Sequence, residues 1–139
     1  MGALVVKETR PGYAAPGRLE RVRKAVEEGL PVEAVKELQA ELKRFGVRRP
    51  SEYVDAIVSR ATLQRRNRLK PAEGEQIVRV ASLLATAADV WGNDEGAAEF
   101  LTSPHPMLGG AVPIDPALSE IGARQVERTL LAMDLGLPV

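Results

Sequence analysis

The sequence predicts an all-α protein, a small helical bundle built from short amphipathic helices. Its 139 residues suit one compact domain or two very small ones. Apolar residues make up 45% of the chain but aromatic residues only 4%, so the core would consist of Leu, Val, Ile and Ala. Apolar positions recur at spacings of three and four, and alternating runs are few, which favours helices over strands.

Two helices are predicted before residue 46. The first runs from about Arg18 to Glu28, and the second has Pro31 in its first turn and runs to about Phe45. Gly29 and Gly46 follow them and suit the left-handed backbone with which helices often end. The inward-facing residues predicted for these helices are Leu19, Val22, Val26, Val32, Val35, Leu38 and Leu42.

Two shorter helices follow and form a helix-turn-helix pattern. Pro50 and Ser51 open the third helix, with Ser51 as its N-cap, and Ser59 caps a fourth helix that runs to about Arg68. Tyr53, Val54, Ile57 and Val58 are the buried face of the third helix, and Ala61 or Leu63 would anchor the fourth. Two short helices, a tight turn and a helix rich in Arg, Gln and Thr are typical of DNA-binding modules.

The charge distribution supports an anion-binding segment. Residues 43–70 contain nine basic and two acidic side chains, a net charge of +7, whereas residues 71–139 have a net charge of −7. A basic segment within a neutral protein is a candidate nucleic-acid face, although a solvated helix surface has the same composition. The predicted DNA contacts are Arg60, Thr62, Gln64, Arg65, Arg66 and Arg68.

Three further helices are predicted after residue 70. The longest runs from Pro71 to about Trp91, with Ile77, Val80, Ala81, Leu84, Ala88 and Trp91 on its inward stripe. Asn93 caps the next helix, which ends near Thr102. The last helix spans about Pro116 to Met133, with Ile121, Val126, Leu130 and Met133 inward.

The segment between the last two helices is predicted to be an ordered connector. Its prolines and the pair Gly109-Gly110 cannot continue a helix. Its apolar residues nevertheless predict packing; they are Phe100, Leu101, Met107, Leu108, Val112 and Ile114. Leu135, Leu137 and Val139 form an apolar tail, which is either frayed or docks on a partner.

Several classes of site are excluded or disfavoured by composition. The chain has no cysteine and a single histidine, His105, so we expect no metal site, no nucleophile–His catalytic set, no cofactor and no enzymatic activity. The chain contains no run of about 18 uncharged apolar residues, so no membrane-spanning helix is predicted. The N-terminal apolar run is too short for a signal peptide, which makes a cytoplasmic protein the natural interpretation.

The order of several motifs resembles the Xre/MbcA/ParS family of bacterial antitoxins, which neutralise toxins carrying a RES domain. The resemblance runs from about Leu69 to the end of the chain. It rests on Val90-Trp91-Gly92, Ala97, Phe100, Leu101, Pro104, Pro106, Leu108-Gly109-Gly110, Pro113 and the block from Gly122 to Glu127. The basic block before Leu69-Lys70-Pro71 is similar to the recognition helix of the family's N-terminal half.

The resemblance implies an antitoxin with two functional parts after an N-terminal arm of residues 1–16. Residues 17–70 would be an Xre-like helix-turn-helix and dimerisation domain, and residues 71–139 would bind the toxin. The implied partners are a RES-domain toxin that consumes NAD or transfers ADP-ribose, operator DNA and a second copy of the chain. The toxin contacts would be Met107, Leu108, Arg124, Glu127, Arg128, Leu135, Leu137 and Val139.

Two other interpretations stay open on the sequence alone. The chain could be a helix-turn-helix transcription regulator whose C-terminal part only mediates dimerisation. It could also be a structural adaptor without a DNA role. The reading frame next to the gene separates the first alternative from an antitoxin, because an antitoxin would be encoded beside a small RES-type protein.

Overall fold

A computed structural model describes residues 17–136 and confirms the all-α fold. In that range the chain forms seven α-helices, two short 3₁₀ helices and no strand. The α-helices are α1 (Arg18–Glu28), α2 (Glu33–Arg44), α3 (Pro50–Ile57), α4 (Arg60–Arg65), α5 (Pro71–Trp91), α6 (Asp94–Thr102) and α7 (Glu120–Asp134). The 3₁₀ helices are Pro106–Leu108 and Pro116–Leu118. Among the described helices, none has the length and apolarity that a membrane crossing requires.

Backbone hydrogen bonds join the linker after α1 to the linker before α5. Leu69 donates its backbone N–H to Leu30 at 2.7 Å, and Val32 donates to Asn67 at 3.1 Å. Gly29 has a φ of +99°, and a Cβ there would lie 3.1 Å from the carbonyl oxygen of Leu69. The close approach therefore favours glycine at this position and fixes the exit of α4 against the α1–α2 connection.

Helix α5 is the central element, because it packs against α1, α2, α3, α6 and α7. Its buried residues are Gly74, Ile77, Val80, Ala81, Leu83, Leu84 and Ala87. They join one continuous apolar core, to which α2 contributes Leu38 and Leu42 and α7 contributes Val126 and Leu130. The two functional parts that the sequence suggests on either side of residue 70 therefore share a single core.

The connector between α6 and α7 is ordered and closed by backbone hydrogen bonds, as predicted. His105 donates its N–H to Ala111 at 3.0 Å, and Gly110 donates to His105 at 3.0 Å. Gly109 and Gly110 have φ values of +64° and +85°, a region that favours glycine. Ile114 donates to the carbonyl of Leu101 at 3.1 Å, which ties the end of the connector to α6.

Several predicted helix boundaries differ from the structure. Arg49, with a φ of +52°, precedes α3, so Ser51 lies inside the helix instead of capping it. Helix α4 ends at Arg65 and not at Arg68. Pro116 opens a separate 3₁₀ turn, and α7 starts only after Ser119, whose hydroxyl accepts the N–H of Gly122 at 2.9 Å. Pro31 precedes α2, which begins at Glu33.

Two aliphatic side chains that were predicted to face inward are exposed. Leu19 is 78% exposed and Ile121 is 76% exposed. Each lies in the first turn of its helix, where the stripe of buried residues has not yet reached a neighbouring element. Helical spacing correctly predicted that Val22 and Val26 are buried. It could not predict that the neighbouring element does not extend far enough to cover Leu19.

Candidate functional site

The outer face of α7 carries an apolar and basic stripe. We define the α7 face as Ile121, Arg124, Arg128, Leu131 and Leu135, which follow one another at spacings of three, four, three and four residues. Side chains at these spacings lie on one side of a helix. All five are exposed, and Leu131 and Leu135 are 47% and 73% exposed. Large exposed apolar side chains in one stripe indicate an interaction surface.

The opposite side of α7 holds the helix rigidly against the core. Ala123, Val126, Thr129 and Leu130 are buried there, and the hydroxyl of Thr129 donates to the carbonyl of Gln125 at 3.0 Å. The turn before the helix is fixed to α5, because Gln76 donates its side-chain amide to Leu118 at 2.9 Å. The α7 face is therefore presented on a rigid support.

The charged residues on the exposed side of α7 differ in whether they form an ion pair. Arg124 donates to the carboxylate of Glu120 at 2.9 Å, an exposed pair one turn apart. Glu127 and Arg128 are exposed, and neither has an ion pair within residues 17–136. Arg128 lies between Ile121 and Leu135 on the α7 face and can therefore offer its guanidinium to a partner's acidic group.

The connector adds one exposed side chain next to α7. Its 3₁₀ helix Pro106–Leu108 packs against α7, with Met107 47% exposed and Leu108 half-buried against the core. His105 accepts the N–H of Met107 on Nδ1 at 3.2 Å, and its ring lies 5.5 Å from that of Phe100. His105 is thus a capping and packing residue of the turn.

Most of the predicted toxin contacts are therefore available at the surface. Leu108 is the exception within the described residues, because its side chain is partly buried against the core. Leu137 and Val139 lie outside the described residues. Ile121 and Leu131 were not predicted to be contacts, although α7 carries two apolar stripes on different faces and one core can cover only one of them.

Trp91 lies at the C-terminal end of α5 and is not a core residue. Its side chain is 40% exposed, and its ring is tilted against Phe100 at a centroid distance of 6.3 Å. A Cβ on Gly96 would approach the indole ring to 2.9 Å. The indole therefore packs across the start of α6, and the prediction that Trp91 belongs to the inward stripe of α5 is wrong.

Helix α4 is short and exposes most of its predicted DNA contacts. Arg60, Gln64 and Arg65 are exposed, and Leu63 anchors the helix against the core. Ser59 caps the helix by accepting the N–H of Thr62 at 3.2 Å, as predicted. The hydroxyl of Thr62 lies 2.8 Å from that of Ser59, so Thr62 is half-buried and already has a partner.

Two of the predicted DNA contacts, Arg66 and Arg68, also contact the protein itself. Arg66 donates to Glu73 at 2.9 Å, and this hydrogen bond raises the pKa of Arg66 and lowers the pKa of Glu73. Arg68 donates to the backbone carbonyl of Gly29 at 2.8 Å. Both follow the end of α4 at Arg65, where the chain turns back toward α5.

A groove of about 360 Å³ lies between α2, α3 and α4. Val32, Val35 and Val54 line it together with Leu63 from α4. Arg60 and Gln64 are also part of its wall. Helix α4 therefore stands partly away from the core, which leaves its outer side chains accessible.

Comparisons with known proteins relate the α7 region to antitoxins. Residues 86–136 match the family model of the antitoxin Xre/MbcA/ParS C-terminal toxin-binding domain. This range covers the end of α5, all of α6, the connector and α7. It is little more than a third of the chain.

A curated relative is similar to about half of the chain. It is named "Probable transcriptional regulatory protein" and comes from Thiobacillus denitrificans (strain ATCC 25259 / T1). The match is 41% identical over 73 residues, and it covers 48% of this chain and 30% of the relative. The chain thus spans less than a third of that relative's length. Residues 86–136, which contain the α7 face, are therefore similar to the toxin-binding domain of these antitoxins.

Proposed function

We propose that this protein is the antitoxin of a RES-domain toxin and that the α7 face, with Met107 beside it, covers the entrance to the toxin's NAD pocket. The observation that carries the proposal is the exposure of Ile121, Leu131 and Leu135 on a rigid helix inside the matched range. Three large apolar side chains on one exposed helix face favour a protein partner over solvent.

The chemistry of the face suits such a pocket. The apolar side chains supply buried area, and Arg128 supplies a planar cation for a carboxylate in the toxin's active site. The net charge of −7 in residues 71–139 is complementary to a cleft that must attract a pyrophosphate. The antitoxin performs no chemistry in this scheme; it inhibits by occupying the entrance.

The same chain represses its own operon by binding operator DNA through α4. Arg60, Gln64 and Arg65 are the exposed contacts, and Thr62 lies beside them. Arg and Gln suit guanine and adenine edges, and Arg also pairs with phosphates. The name of the relative from Thiobacillus denitrificans is consistent with a role in transcription.

Expression with the neighbouring reading frame tests the toxin arm of this proposal. The neighbour alone should arrest growth and consume NAD, whereas the pair should grow and purify as a complex. A RES-type neighbour that binds the antitoxin but keeps its full NAD consumption would refute the covering mechanism. Gel shifts with the upstream DNA, run on the antitoxin and on the complex, test the DNA arm separately.

The alternative function is a transcription regulator without a toxin partner. It is favoured by the relative's name and by the exposed arginines of α4. It predicts upstream DNA binding together with a neighbour that has no effect on growth. In that case the α7 face would serve another protein contact.

A further inference from the structure

The single tryptophan of the chain presents part of its indole to solvent. Trp91, the last residue of α5, is 40% exposed. Its ring lies over the start of α6, because a Cβ on Gly96 would come within 2.9 Å of it, and it is tilted against Phe100. These contacts hold the ring in place, so the exposed part is a rigid aromatic surface. Tryptophan in such a setting is a side chain typical of binding hot spots.

A row of side chains joins this indole to the α7 region. Phe100 contacts Trp91 and also the ring of His105, at centroid distances of 6.3 and 5.5 Å. His105 in turn accepts the N–H of Met107 on Nδ1, and the 3₁₀ helix that contains Met107 packs against α7. Trp91 and Met107 are the two exposed ends of this row. A protein that covers Met107 can therefore also reach Trp91.

The surroundings of Trp91 in the sequence are acidic. Residues 80–123 contain six acidic residues and neither lysine nor arginine. Glu99 follows Glu95 by four positions and Gly96 by three, so these three residues lie on one side of α6. Both glutamates are exposed, and neither has an ion pair within residues 17–136. Two carboxylates without a cation therefore border the glycine over which the indole lies.

Arg44 of α2 reaches the start of α6 as well, but its guanidinium is occupied. It pairs with Asp94 and lies 4.4 Å from the ring centroid of Phe45. The aromatic face of Trp91 and the two glutamates beside it are thus left to a cation from outside the chain. The ring attracts such a cation through its quadrupole, and the carboxylates pair with it. Arginine suits both contacts, because its planar guanidinium stacks on a ring while it donates to carboxylates.

We infer that Trp91, Glu95 and Glu99 form a second contact site for the toxin and bind an arginine or lysine side chain of that protein. We call these three residues the Trp91 site. The inference rests on the proposed function, in which the α7 face and Met107 cover a cleft that is basic because it attracts a pyrophosphate. The row from Met107 to Trp91 extends that interface to α6, where the acidic surface faces the basic rim of the cleft.

Trp91 reports on this site directly, because the chain has no other tryptophan. Full-length antitoxin labelled with 5-fluorotryptophan gives one fluorine NMR resonance, which a soluble gadolinium chelate should broaden. Unlabelled toxin should shift this resonance and protect it from broadening. Calorimetric titration of the same samples measures binding independently. Tight binding with an unshifted, unprotected resonance would overturn the inference and leave the proposed function intact, whereas a toxin that does not bind would overturn both.

Substitutions test the chemistry of the Trp91 site. Trp91→Leu should weaken toxin binding about 10-fold or more, and Trp91→Phe should weaken it less because it keeps an aromatic face. Glu99→Lys should also weaken binding about 10-fold, since it places a cation opposite a cation, and the loss should shrink as salt is added. Thermal melts verify that each variant is folded.

Glu28→Lys is the matched control for Glu99→Lys. Glu28 is exposed at the end of α1, has no ion pair within residues 17–136, and its reversal changes the net charge by the same amount. It should bind the toxin as wild type does. Glu99 is exposed, so its reversal tests the site even where Trp91→Leu lowers stability. A Glu99→Lys variant that binds as tightly as wild type, or equal losses in Glu99→Lys and Glu28→Lys, would overturn the inference.

Discussion

The hydroxyl of Tyr53 donates a hydrogen bond to the carboxylate of Asp115. Tyr53 lies on α3, next to the predicted DNA-binding helix, and Asp115 lies just before the turn that leads into α7. Burial of the phenol raises the pKa of Tyr53, and the hydrogen bond to Asp115 raises it further, so the hydroxyl remains a donor. Arg44 and Asp94 form a second link, between the end of α2 and the start of α6.

The first prediction is that Tyr53 and Asp115 are energetically coupled. Tyr53→Phe should lower the free energy of unfolding by about 1 kcal/mol, the usual net value of one hydrogen bond. Asp115→Ala, which removes the acceptor, should cost a similar amount, and the double variant should cost less than the sum of the two. Urea unfolding of the four proteins measures the coupling. Additive losses would show that the contact contributes nothing to stability.

The second prediction separates two neighbouring arginines of the basic segment. Arg65 is exposed at the end of α4, so Arg65→Ala should leave stability unchanged, weaken operator binding and reduce the salt slope by about 1. Arg66 contacts Glu73, so Arg66→Ala should lower stability and affect DNA binding only as a consequence. Salt titrations of operator binding, with thermal melts of the same samples, distinguish the two roles. An Arg65→Ala variant that binds as tightly as wild type at every salt concentration would remove α4 from the DNA interface.

The third prediction concerns the pH dependence of the Arg66–Glu73 contact. Glu73 accepts from Arg66 and, at 2.7 Å, from the backbone N–H of Lys70, and its pKa is lowered from 4.5. A carboxylate with a lowered pKa stabilises the fold above its unfolded pKa, and this contribution is lost as the pH falls through the folded value. Glu73→Gln should therefore cost about 1 kcal/mol at neutral pH.

The difference between Glu73→Gln and wild type should shrink as the pH falls below 4.5. Denaturant unfolding at neutral and acidic pH measures this change. Asp89→Asn is a suitable control, because Asp89 is exposed on the same helix and has no ion pair within residues 17–136. A loss that is constant with pH would assign the effect to packing of the side chain and not to its charge.

Much of this fold could be predicted because strong local signals mark it. Gly29 ends α1, Pro71 starts α5, and Asn93 and Ser59 cap their helices, so these boundaries agree with the sequence analysis. Capping depends on one side chain and the backbone beside it, which a sequence displays directly.

The remaining features depend on contacts between distant residues. Arg68 contacts Gly29 across 39 residues, and no local pattern reveals that its guanidinium is engaged. The α7 face could be predicted only partly. Ile121 and Val126 are both β-branched apolar residues of one helix, and contacts with neighbouring elements decide which of them is buried. The sequence did contain one signal for this face: α7 has more apolar positions than a single core can bury.

The last prediction separates the fold of α7 from its surface. Gly122 lies under the turn at Pro116, and a Cβ there would come within 2.0 Å of the Pro116 carbonyl oxygen. Gly122→Ala must therefore move the backbone and should lower the free energy of unfolding by about 2 kcal/mol. Ile121→Glu and Leu135→Glu change exposed side chains and should alter stability by less than about 0.5 kcal/mol.

Toxin binding should respond differently to the same substitutions. Ile121→Glu with Leu135→Glu should weaken it about 30-fold or more, because both charges would have to be buried against the partner. Arg128→Glu should act in the same direction by losing its pair with an acidic group. Leu19→Glu, equally exposed on α1, is the control that should bind the toxin as wild type does. Calorimetric titration with the toxin and an NAD-consumption assay measure these effects. If the variant pair on α7 folds normally and still inhibits fully, the α7 face is not the toxin-binding surface, and the exposed apolar stripe must serve a different partner.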